Sequence, residues 1–524
     1  MQFEQLPNEI IAEIFSFLLG NDCVLAFSCL NQRFQCLIEE YSRGFNFQFV
    51  NKTQFDWLFE QYDKNWWKSL KLSNEYIFGQ IEYFFQCYSL VDDRSQLQSL
   101  SLLQLEHVDQ FHLSYQLSFL TNLVSLTIKP FCGQILSSID LPNLKRLAIS
   151  SCRNTQFLES FSQLEIVDYE FDNCCSNTIN FIWPKQLKHL KIIYTIDQDS
   201  QSAILASLKD LSQLRTLEIY QKQLGHTNPN GQIWKDMISS SLVNLNKFQF
   251  YFPFYYSTKS IASILSTFDM SKAQYDIYES TEKAVIYSIP CSFDQYHLFD
   301  DFYQGKIQSI SNSNKHLKTL IIESMPERSI ICESTPWLAN RFKKMKLNFP
   351  SIEQIIFSSN CYYYPHERYR EAFSMNFLTL IQSSMSRLHS LKLRMNDLRI
   401  LTNDFTNHLL CEYLSTKIHS LKIYENDRFQ LENYLNNEEV NQLIKLFGRN
   451  CSNLSIDLLV SIDRLINLLT NFEQIQCLNI NMQTNDHFKL TTKWLDNQRI
   501  RFNSSNCYIF NHQNRYFFFF FLFC

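Results

Sequence analysis

The sequence is poor in the residues that build phosphate-binding loops and flexible linkers. Its 524 residues include only 8 glycines and 11 prolines. Backbone loops that cradle a phosphate depend on glycine, and flexible linkers are rich in it. The scarcity of glycine therefore argues against a glycine-rich nucleotide loop and against long flexible tethers between domains.

The sequence also lacks a basic excess. The formal net charge is −5, and charged residues make up 19% of the chain. Proteins that bind nucleic acids or anionic membranes normally carry an excess of Lys and Arg, so we expect neither a nucleic-acid partner nor a membrane partner. The 45% hydrophobic content favours a globular protein with a large core. The length predicts two or more domains, or one long repeat array.

The motifs of common enzymes and metal sites are missing. None of the 12 histidines lies in an HExxH motif or at zinc-finger spacing, and the chain has no GxSxG or Walker motif. The 16 cysteines are spread singly, apart from the pair Cys174-Cys175, and we interpret them as reduced, buried thiols. The sequence therefore predicts no catalytic residue, no metal and no cofactor, and a protein that is not an enzyme.

The two ends of the chain are strongly apolar, but neither is long enough to span a bilayer. The opening stretch, residues 3–19, has no basic n-region and is interrupted by Glu9 and Glu13, so it is not a typical export signal. A membrane-spanning helix needs about 20 apolar residues. We therefore expect a cytoplasmic and/or nuclear protein. The phenylalanine-rich end, residues 511–524, shows no helical or strand period, and we expect an aberrant or disordered tail.

One short pattern recurs along the chain: apolar, two residues, apolar, one residue, apolar. Its last two positions alternate as in a strand with one buried face, and segments 74–90, 200–211 and 436–448 between copies can form helices. One strand and one helix cannot bury their own apolar faces, whereas stacked copies can, which predicts a solenoid. The copies begin at Trp67, Leu97, Leu123, Leu144, Leu187, Leu214, Leu245, Leu317, Ile352, Leu388, Ile418 and Ile475.

This pattern resembles the leucine-rich repeat, LxxLxLxxN/C, in which Asn or Cys satisfies the turn after the strand. Cys152, Asn396 and Asn426 complete it in three copies, and most others lack that residue. The resemblance implies an α/β fold, namely an irregular leucine-rich-repeat-like solenoid with a parallel sheet over residues 46–510. The interval 251–314 interrupts the pattern with a helix at 260–268 and strand-like runs at 273–279 and 283–290. It is either diverged repeats, a hairpin insertion or a boundary between two half-arrays.

The opening stretch predicts a helix with apolar residues on nearly every side. Pro7 suits its first turn, and Glu9 complements the helix dipole there. A second helical pattern follows over residues 27–37. Such short helices cannot enclose all of their apolar surface, so part of it should remain exposed for a partner.

The motifs of this stretch resemble the F-box. They are Leu6-Pro7-Asn8-Glu9-Ile10, Ile14-Phe15-Ser16-Phe17-Leu18, and later Ser28, Leu30, Asn31, Arg33, Phe34 and Leu37. The resemblance implies a three-helix F-box over residues 1–45 that docks on the Skp-type adaptor of a cullin–RING (SCF-type) ubiquitin ligase, with the repeats holding a protein substrate. It implies adaptor-binding roles for Leu6, Pro7, Glu9, Ile10, Ile14 and Leu18. Which helical face meets the adaptor stays open, and so does the alternative that these helices only cap the solenoid of a scaffold unrelated to ubiquitin.

Side chains between the buried strand positions project from the concave face of a repeat array, which is its usual binding surface. Their Lys, Arg and Tyr content would suit an acidic partner, although a merely solvated sheet face is an equally good interpretation. The candidate substrate-binding residues are Arg146, His189, Lys191, Tyr220, Lys392, Arg394, Lys422 and Tyr424.

Overall fold

The structure is a computed structural model. It describes residues 3–48, 50, 52–61, 67–74, 80–88, 96–105, 110–129, 136, 139–150, 155–171, 181–195, 200–222, 225, 228–256, 261–269, 273–278, 283–288, 295–299, 318–323, 351–357, 367–424, 435–475, 477–482, 507–512 and 515–520.

The helices and strands alternate along most of the described chain. The helices are α1 (Asn8–Ser16), α2 (Gly20–Phe27), α3 (Gln32–Tyr41), α4 (Lys52–Gln61), α5 (Gln80–Cys87), α6 (Gln110–Ser118), α7 (Ser200–Ser207), α8 (Gly231–Ser241), α9 (Ile261–Ser266), α10 (Glu367–Ser384), α11 (Met395–Leu401), α12 (His408–Lys417), α13 (Asn437–Phe447) and α14 (Ile462–Asn471). The strands are β1 (Gly44–Asn46), β2 (Ser69–Ser73), β3 (Ser99–Leu103), β4 (Ser125–Lys129), β5 (Arg146–Ser150), β6 (Ile166–Phe171), β7 (His189–Tyr194), β8 (Thr216–Gln221), β9 (Lys247–Tyr255), β10 (Ala273–Tyr278), β11 (Lys283–Ser288), β12 (Gln295–Phe299), β13 (Thr319–Glu323), β14 (Gln354–Phe357), β15 (Ser390–Leu393), β16 (Ser420–Ile423), β17 (Asn453–Val460), β18 (Cys477–Met482), β19 (Cys507–His512) and β20 (Arg515–Phe520).

The strands form two sheets, and both follow the order of the chain for most of their length. Among the described residues the first sheet has the order β1 to β9, then β11 and β10, and the second has the order β12 to β18, then β20 and β19. Strands β1 to β7 pair in parallel with their neighbours, and so do β12 to β18. The predicted α/β class and the predicted parallel sheet are confirmed.

The recurring apolar pattern explains the register of the parallel strands. Leu100, Leu126 and Leu147 occupy equivalent positions on β3, β4 and β5, and each is buried. The residues two positions later form a second buried row that continues through Ile128 and Ile149. Full burial of a Leu or Ile side chain stabilises the fold by about 1.5–3 kcal/mol. A slip of one residue would turn every such side chain to the other face, so the pattern fixes the pairing.

The chain divides into two compact units. The first consists of Met1–Ile219 and Ile233–Phe248, and the second of Tyr220–Gln232 and Gln249–Cys524. The interval 251–314 belongs to the second unit. There β10 and β11 pair antiparallel, as in the hairpin that is one of the three alternatives, and α9 lies within the predicted helix at 260–268. Residues 300–314 of that interval lie outside the described part of the chain.

The C-terminal segment, residues 511–524, contains a strand although the sequence predicts an aberrant or disordered tail. Within residues 511–524, the stretch Arg515–Phe520 forms β20, which pairs antiparallel with β18 and with β19. Phe and Tyr fit a pleated, half-buried surface, and β18 offers an unpaired edge, so the run has a partner that its lack of periodicity did not reveal.

Two further expectations are corrected by the structure. Asn396 lies inside α11, so it does not satisfy the turn after β15 as the repeat pattern implies; Cys152 and Asn426 lie outside the described residues. The cysteines are less uniformly buried than expected: Cys23 and Cys451 are buried, whereas free thiols are exposed at Cys29, Cys36 and Cys87. The pair Cys174-Cys175 also lies outside the described residues.

Candidate functional site

The helices α1, α2 and α3 share an aromatic core. The ring of Phe15 lies 5.3 Å from that of Phe27 and 6.4 Å from that of Phe34, and Phe27 stacks on Phe34 at 6.0 Å. Ile11 and Phe15, four residues apart on α1, are both buried. The inner face of α1 is therefore the face of Ile11 and Phe15.

A second side of α1 exposes large apolar side chains. Phe17 is 81% exposed and Ile10 is 43% exposed, while Leu18 and Leu19 are exposed in the turn before α2. Ile10, Ile14 and Phe17 follow one another at intervals of four and three residues, so they lie on one side of the helix. We call Pro7, Ile10, Ile14, Phe17, Leu18 and Leu19 the docking face.

A single arginine holds the start of the docking face in place. The guanidinium of Arg33, at the start of α3, donates three hydrogen bonds: to Asn8 Oδ1 at 2.7 Å, to the carbonyl of Glu4 at 2.7 Å and to the carbonyl of Leu6 at 2.5 Å. The side chain of Asn31 accepts a hydrogen bond from the Phe34 N–H at 3.1 Å and caps α3. The two parts of the sequence motif, residues 6–10 and 31–34, are therefore in direct contact.

The helices are also attached closely to the first strand. A Cβ atom added at Gly20 would lie 2.8 Å from the carbonyl oxygen of Gly44 and 3.2 Å from the ring of Phe45. The buried side chain of Asn21 accepts a hydrogen bond from the Asn46 N–H at 3.1 Å. Because of this close approach, α2 packs directly on β1.

The N-terminal region carries most of the net charge of the protein. Residues 1–51 contain six acidic side chains, two arginines and no lysine, which gives −4 of the total of −5. Glu9 and Glu13 are both exposed on α1. The pKa of the Tyr41 hydroxyl is raised by its hydrogen bond to Glu40, by the charge of Glu40 and by that of Glu9. Carboxylates from α1 and α3 therefore act on the same phenol.

None of the predicted adaptor-binding residues lies in the core. Leu6 and Ile14 are half-buried, whereas Pro7, Glu9, Ile10 and Leu18 are exposed. Phe17 and Leu19, which the prediction does not name, are at least as exposed as Ile10 and Leu18. The helical spacing from Ile10 through Ile14 to Phe17 is the signal that could have found Phe17.

The charged residues on the strands of the first unit are largely paired with one another. Arg146 Nη2 lies 3.1 Å from Asp168 Oδ2, and the two residues project from neighbouring strands. Lys129 and Lys247 form similar pairs, with Glu170 and with Glu218, both at 3.3 Å. His189 is exposed and Lys191 is half-buried. Acidic residues therefore accompany the basic ones on this surface.

Three of the predicted substrate-binding residues are corrected by their burial. Tyr220 is fully buried. Arg394 is buried in a two-pronged contact with Asp397, whose oxygens lie 2.9 Å from Nε and from Nη2. Tyr424 is buried and donates its hydroxyl to the carbonyl of Phe357. Apolar packing and internal hydrogen bonds therefore take these side chains away from the solvent-facing surface.

The two remaining candidates of the second unit are half-buried and also have partners. The ammonium of Lys392 lies 5.6 Å from the centre of the Tyr424 ring, at cation–π distance. Lys422 Nζ lies 3.7 Å from Asp457 Oδ2. Neighbouring strands carry hydroxyl and amide groups that bond across the sheet, such as Asn479 to Ser455 at 3.2 Å.

The part of the chain that the structure describes contains no group of three or more His, Cys, Asp or Glu side chains able to hold a metal ion. Within the same residues, every helix is too short or too polar to cross a bilayer.

Comparison with protein-family models gave no match, and comparison with curated proteins gave none. A functional assignment therefore has to be argued from the motifs and the geometry of the chain itself.

Proposed function

We propose that the protein is the substrate-recognition subunit of an SCF-type (cullin–RING) ubiquitin ligase. In this proposal α1, α2 and α3 are an F-box that binds a Skp-type adaptor, and through it a cullin. Residues 46–510 are an irregular leucine-rich-repeat-like solenoid that holds a protein substrate. The protein performs no chemistry itself. It raises the effective concentration of substrate lysines near the ubiquitin-loaded enzyme.

The observation that carries the proposal is an exposed docking face on helices whose core is complete. Phe15, Phe27 and Phe34 already fill the space between the three helices, so Phe17 and Ile10 are not left outside by poor packing. Contiguous exposed apolar side chains on a folded protein mark an interaction surface. Covering a side chain such as Phe17 would stabilise a complex by about 1.5–3 kcal/mol.

The test is direct binding to a purified Skp-type adaptor, measured by calorimetry with the full chain. The double variant Ile10→Ser, Phe17→Ser should weaken binding by about 100-fold or more, because two apolar side chains lose their burial in the complex. A matched control, Ile233→Ser with Val243→Ser, alters two apolar residues of the first unit that are 48% and 70% exposed outside the docking face. The control should bind as the wild type does.

Two outcomes would contradict the proposal: a wild-type chain that does not bind the adaptor, or a double variant that binds it unchanged. Both variants should keep the thermal stability of the wild type, since exposed residues change stability by no more than about 0.5 kcal/mol.

A second candidate is a scaffold protein unrelated to ubiquitin, in which the three helices cap the array. The close contact between Gly20 and Gly44 favours it, because a cap has to cover the first strand. Deletion of the helices would expose β1 in either case, so it does not separate the candidates. Surface variants do: in a pure cap, the double variant changes neither stability nor any binding to the adaptor.

A further inference from the structure

Acidic side chains run alongside the apolar stripe of the docking face. On α1, Glu9 and Glu13 are one turn apart, and each directly precedes a residue of the stripe, Ile10 or Ile14. Glu13 is also one turn before Phe17, so its side chain lies next to the most exposed large apolar residue in the described part of the chain. The stripe is thus bordered along its length by carboxylates.

These carboxylates have little compensation within their own region. Among the described residues neither Glu9 nor Glu13 forms an ion pair, and residues 1–51 contain no lysine. Arg33 uses its guanidinium to hold residues 4–8. Like charges one turn apart on a helix destabilise it slightly. The pair is a cost for the isolated helix, and a partner of opposite charge would remove it.

We infer that the docking face binds an apolar groove bordered by Lys or Arg side chains, which lie against Glu9 and Glu13. The inference rests on the proposed function: the partner that carries this groove is the Skp-type adaptor. A second copy of the same chain is a poor occupant, because a two-fold contact would bring the acidic docking faces of both copies together without added basic residues. An anionic membrane surface would be repelled by the same charges.

The electrostatic part of this interface acts mainly on association. Charges at the rim of an interface steer the approach of the partner, so they change the association rate constant and its dependence on salt more than they change dissociation. The apolar stripe acts on dissociation, because its burial is lost only when the complex separates. The contribution of the carboxylates and that of the apolar stripe can therefore be distinguished by measuring the association and dissociation rate constants separately.

The experiment measures association of the full chain with a purified Skp-type adaptor by stopped flow or interferometry. The variant Glu9→Lys, Glu13→Lys should lower the association rate constant about tenfold or more at about 0.05 M ionic strength. The difference should shrink to within about twofold at about 0.5 M, where the screening length is only a few ångströms. The neutral variant Glu9→Gln, Glu13→Gln keeps the side-chain shape and should lie between the two.

The matched control is Glu159→Lys with Asp210→Lys, which makes the same change of net charge at two exposed positions of the first unit outside the docking face. It should associate within about twofold of the wild type, because the effect belongs to the local charges rather than to the total. Circular dichroism and thermal melting check that every variant is folded.

Four results would overturn the inference. Equal rates for the wild type and for both docking-face variants, with binding intact, would reject the basic border and leave the proposed function standing. Faster association of the Lys variant would show a partner surface of the opposite charge. A wild-type chain that does not bind the adaptor would reject the proposed function and the inference with it, and self-association through the docking face, seen by sedimentation, would assign that face to a second copy.

Discussion

Two short helices of nearly equal length, α14 and α1, differ in how far their apolar side chains are buried. In α14, Leu465, Leu468 and Leu469 are buried, and none of its apolar side chains is fully exposed. In α1, only Ile11 and Phe15 are buried, and Ile10 is exposed. Both helices are rich in Ile, Leu or Phe, so apolar content alone does not distinguish them.

The outer faces of the two helices show the difference. On the outside of α14, Arg464 and Asn467 donate hydrogen bonds to Asn437 and Asn441 of α13, at 2.9 Å and 3.0 Å. Polar side chains on that face are therefore satisfied by hydrogen bonds within the molecule. The outer face of α1 combines apolar residues with carboxylates that have no internal ion pair among the described residues. This composition supports the proposed docking role of that face.

Replacement of Phe15 by Ala should have the largest effect on the comparison. Phe15 is buried between two aromatic rings, so its removal leaves a cavity and should lower the free energy of unfolding of α1–α3 by about 3–5 kcal/mol. Native-state hydrogen exchange on the amides of these helices measures it. Its matched control, Phe17→Ala, should change the same quantity by no more than about 0.5 kcal/mol. Similar losses in both variants would mean that α1 has no distinct inner and outer face.

Replacement of Gly20 by Ala tests how tightly the helices are joined to β1. The added Cβ would meet the carbonyl of Gly44 at 2.8 Å, and a backbone atom cannot move aside cheaply. We expect a loss of about 1–3 kcal/mol in stability, the usual cost of overpacking. Gly44→Ala is the matched control, because its nearest new contact is at 3.9 Å. An equal loss in both variants, measured by thermal unfolding, would show that helix and strand are loosely attached.

The smallest expected effect is a pH dependence of stability that β15 should show and α1–α3 should lack. Burial lowers the pKa of His389, just before β15, and the charge of His419 lowers it further, against the opposing charge of Glu353. The unfolded chain therefore binds a proton at a higher pH than the folded chain does, so stability should fall slightly as pH drops below about 6.5. Residues 1–51 contain no histidine, so α1–α3 should lack this step.

Amide hydrogen exchange of β15 and of α1–α3 between about pH 7 and about pH 5 measures both regions in one sample. His389→Gln should remove the step in β15, while the exposed His408→Gln should retain it. Retention of the step in His389→Gln would assign it to another group.

The sequence predicted the strands well wherever the apolar pattern used Leu and Ile. It missed β6, which has the same spacing but carries Val167 and Tyr169 after Leu164 in place of Leu and Ile. It missed β17 for the same reason, since Cys451 takes the first apolar position. The spacing, rather than the identity of the residues, carries the physical information, because it decides which side chains share a buried face.

The candidate sites were harder to predict than the strands. Alternation places Tyr220 and Tyr424 on a strand face, but it does not say whether neighbouring strands leave that face open or cover it. The same limit applies to charge: Arg146 and Asp168 are 22 positions apart in the sequence, and only the register of β5 and β6 brings them together. The docking face was easier, because helical periodicity already separates Ile11 and Phe15 from Ile10 and Phe17.

The three hydrogen bonds of Arg33 also set the smallest fragment that can display the docking face. A synthetic peptide of residues 3–19 would contain every apolar residue of that face but not the side chain that closes its first turn. That side chain, Arg33, belongs to α3 and lies 27 positions after Leu6 in the sequence. A fragment used as a competitor or as a fusion partner must therefore extend through Tyr41, and a shorter peptide would compete weakly even though its contact residues are complete.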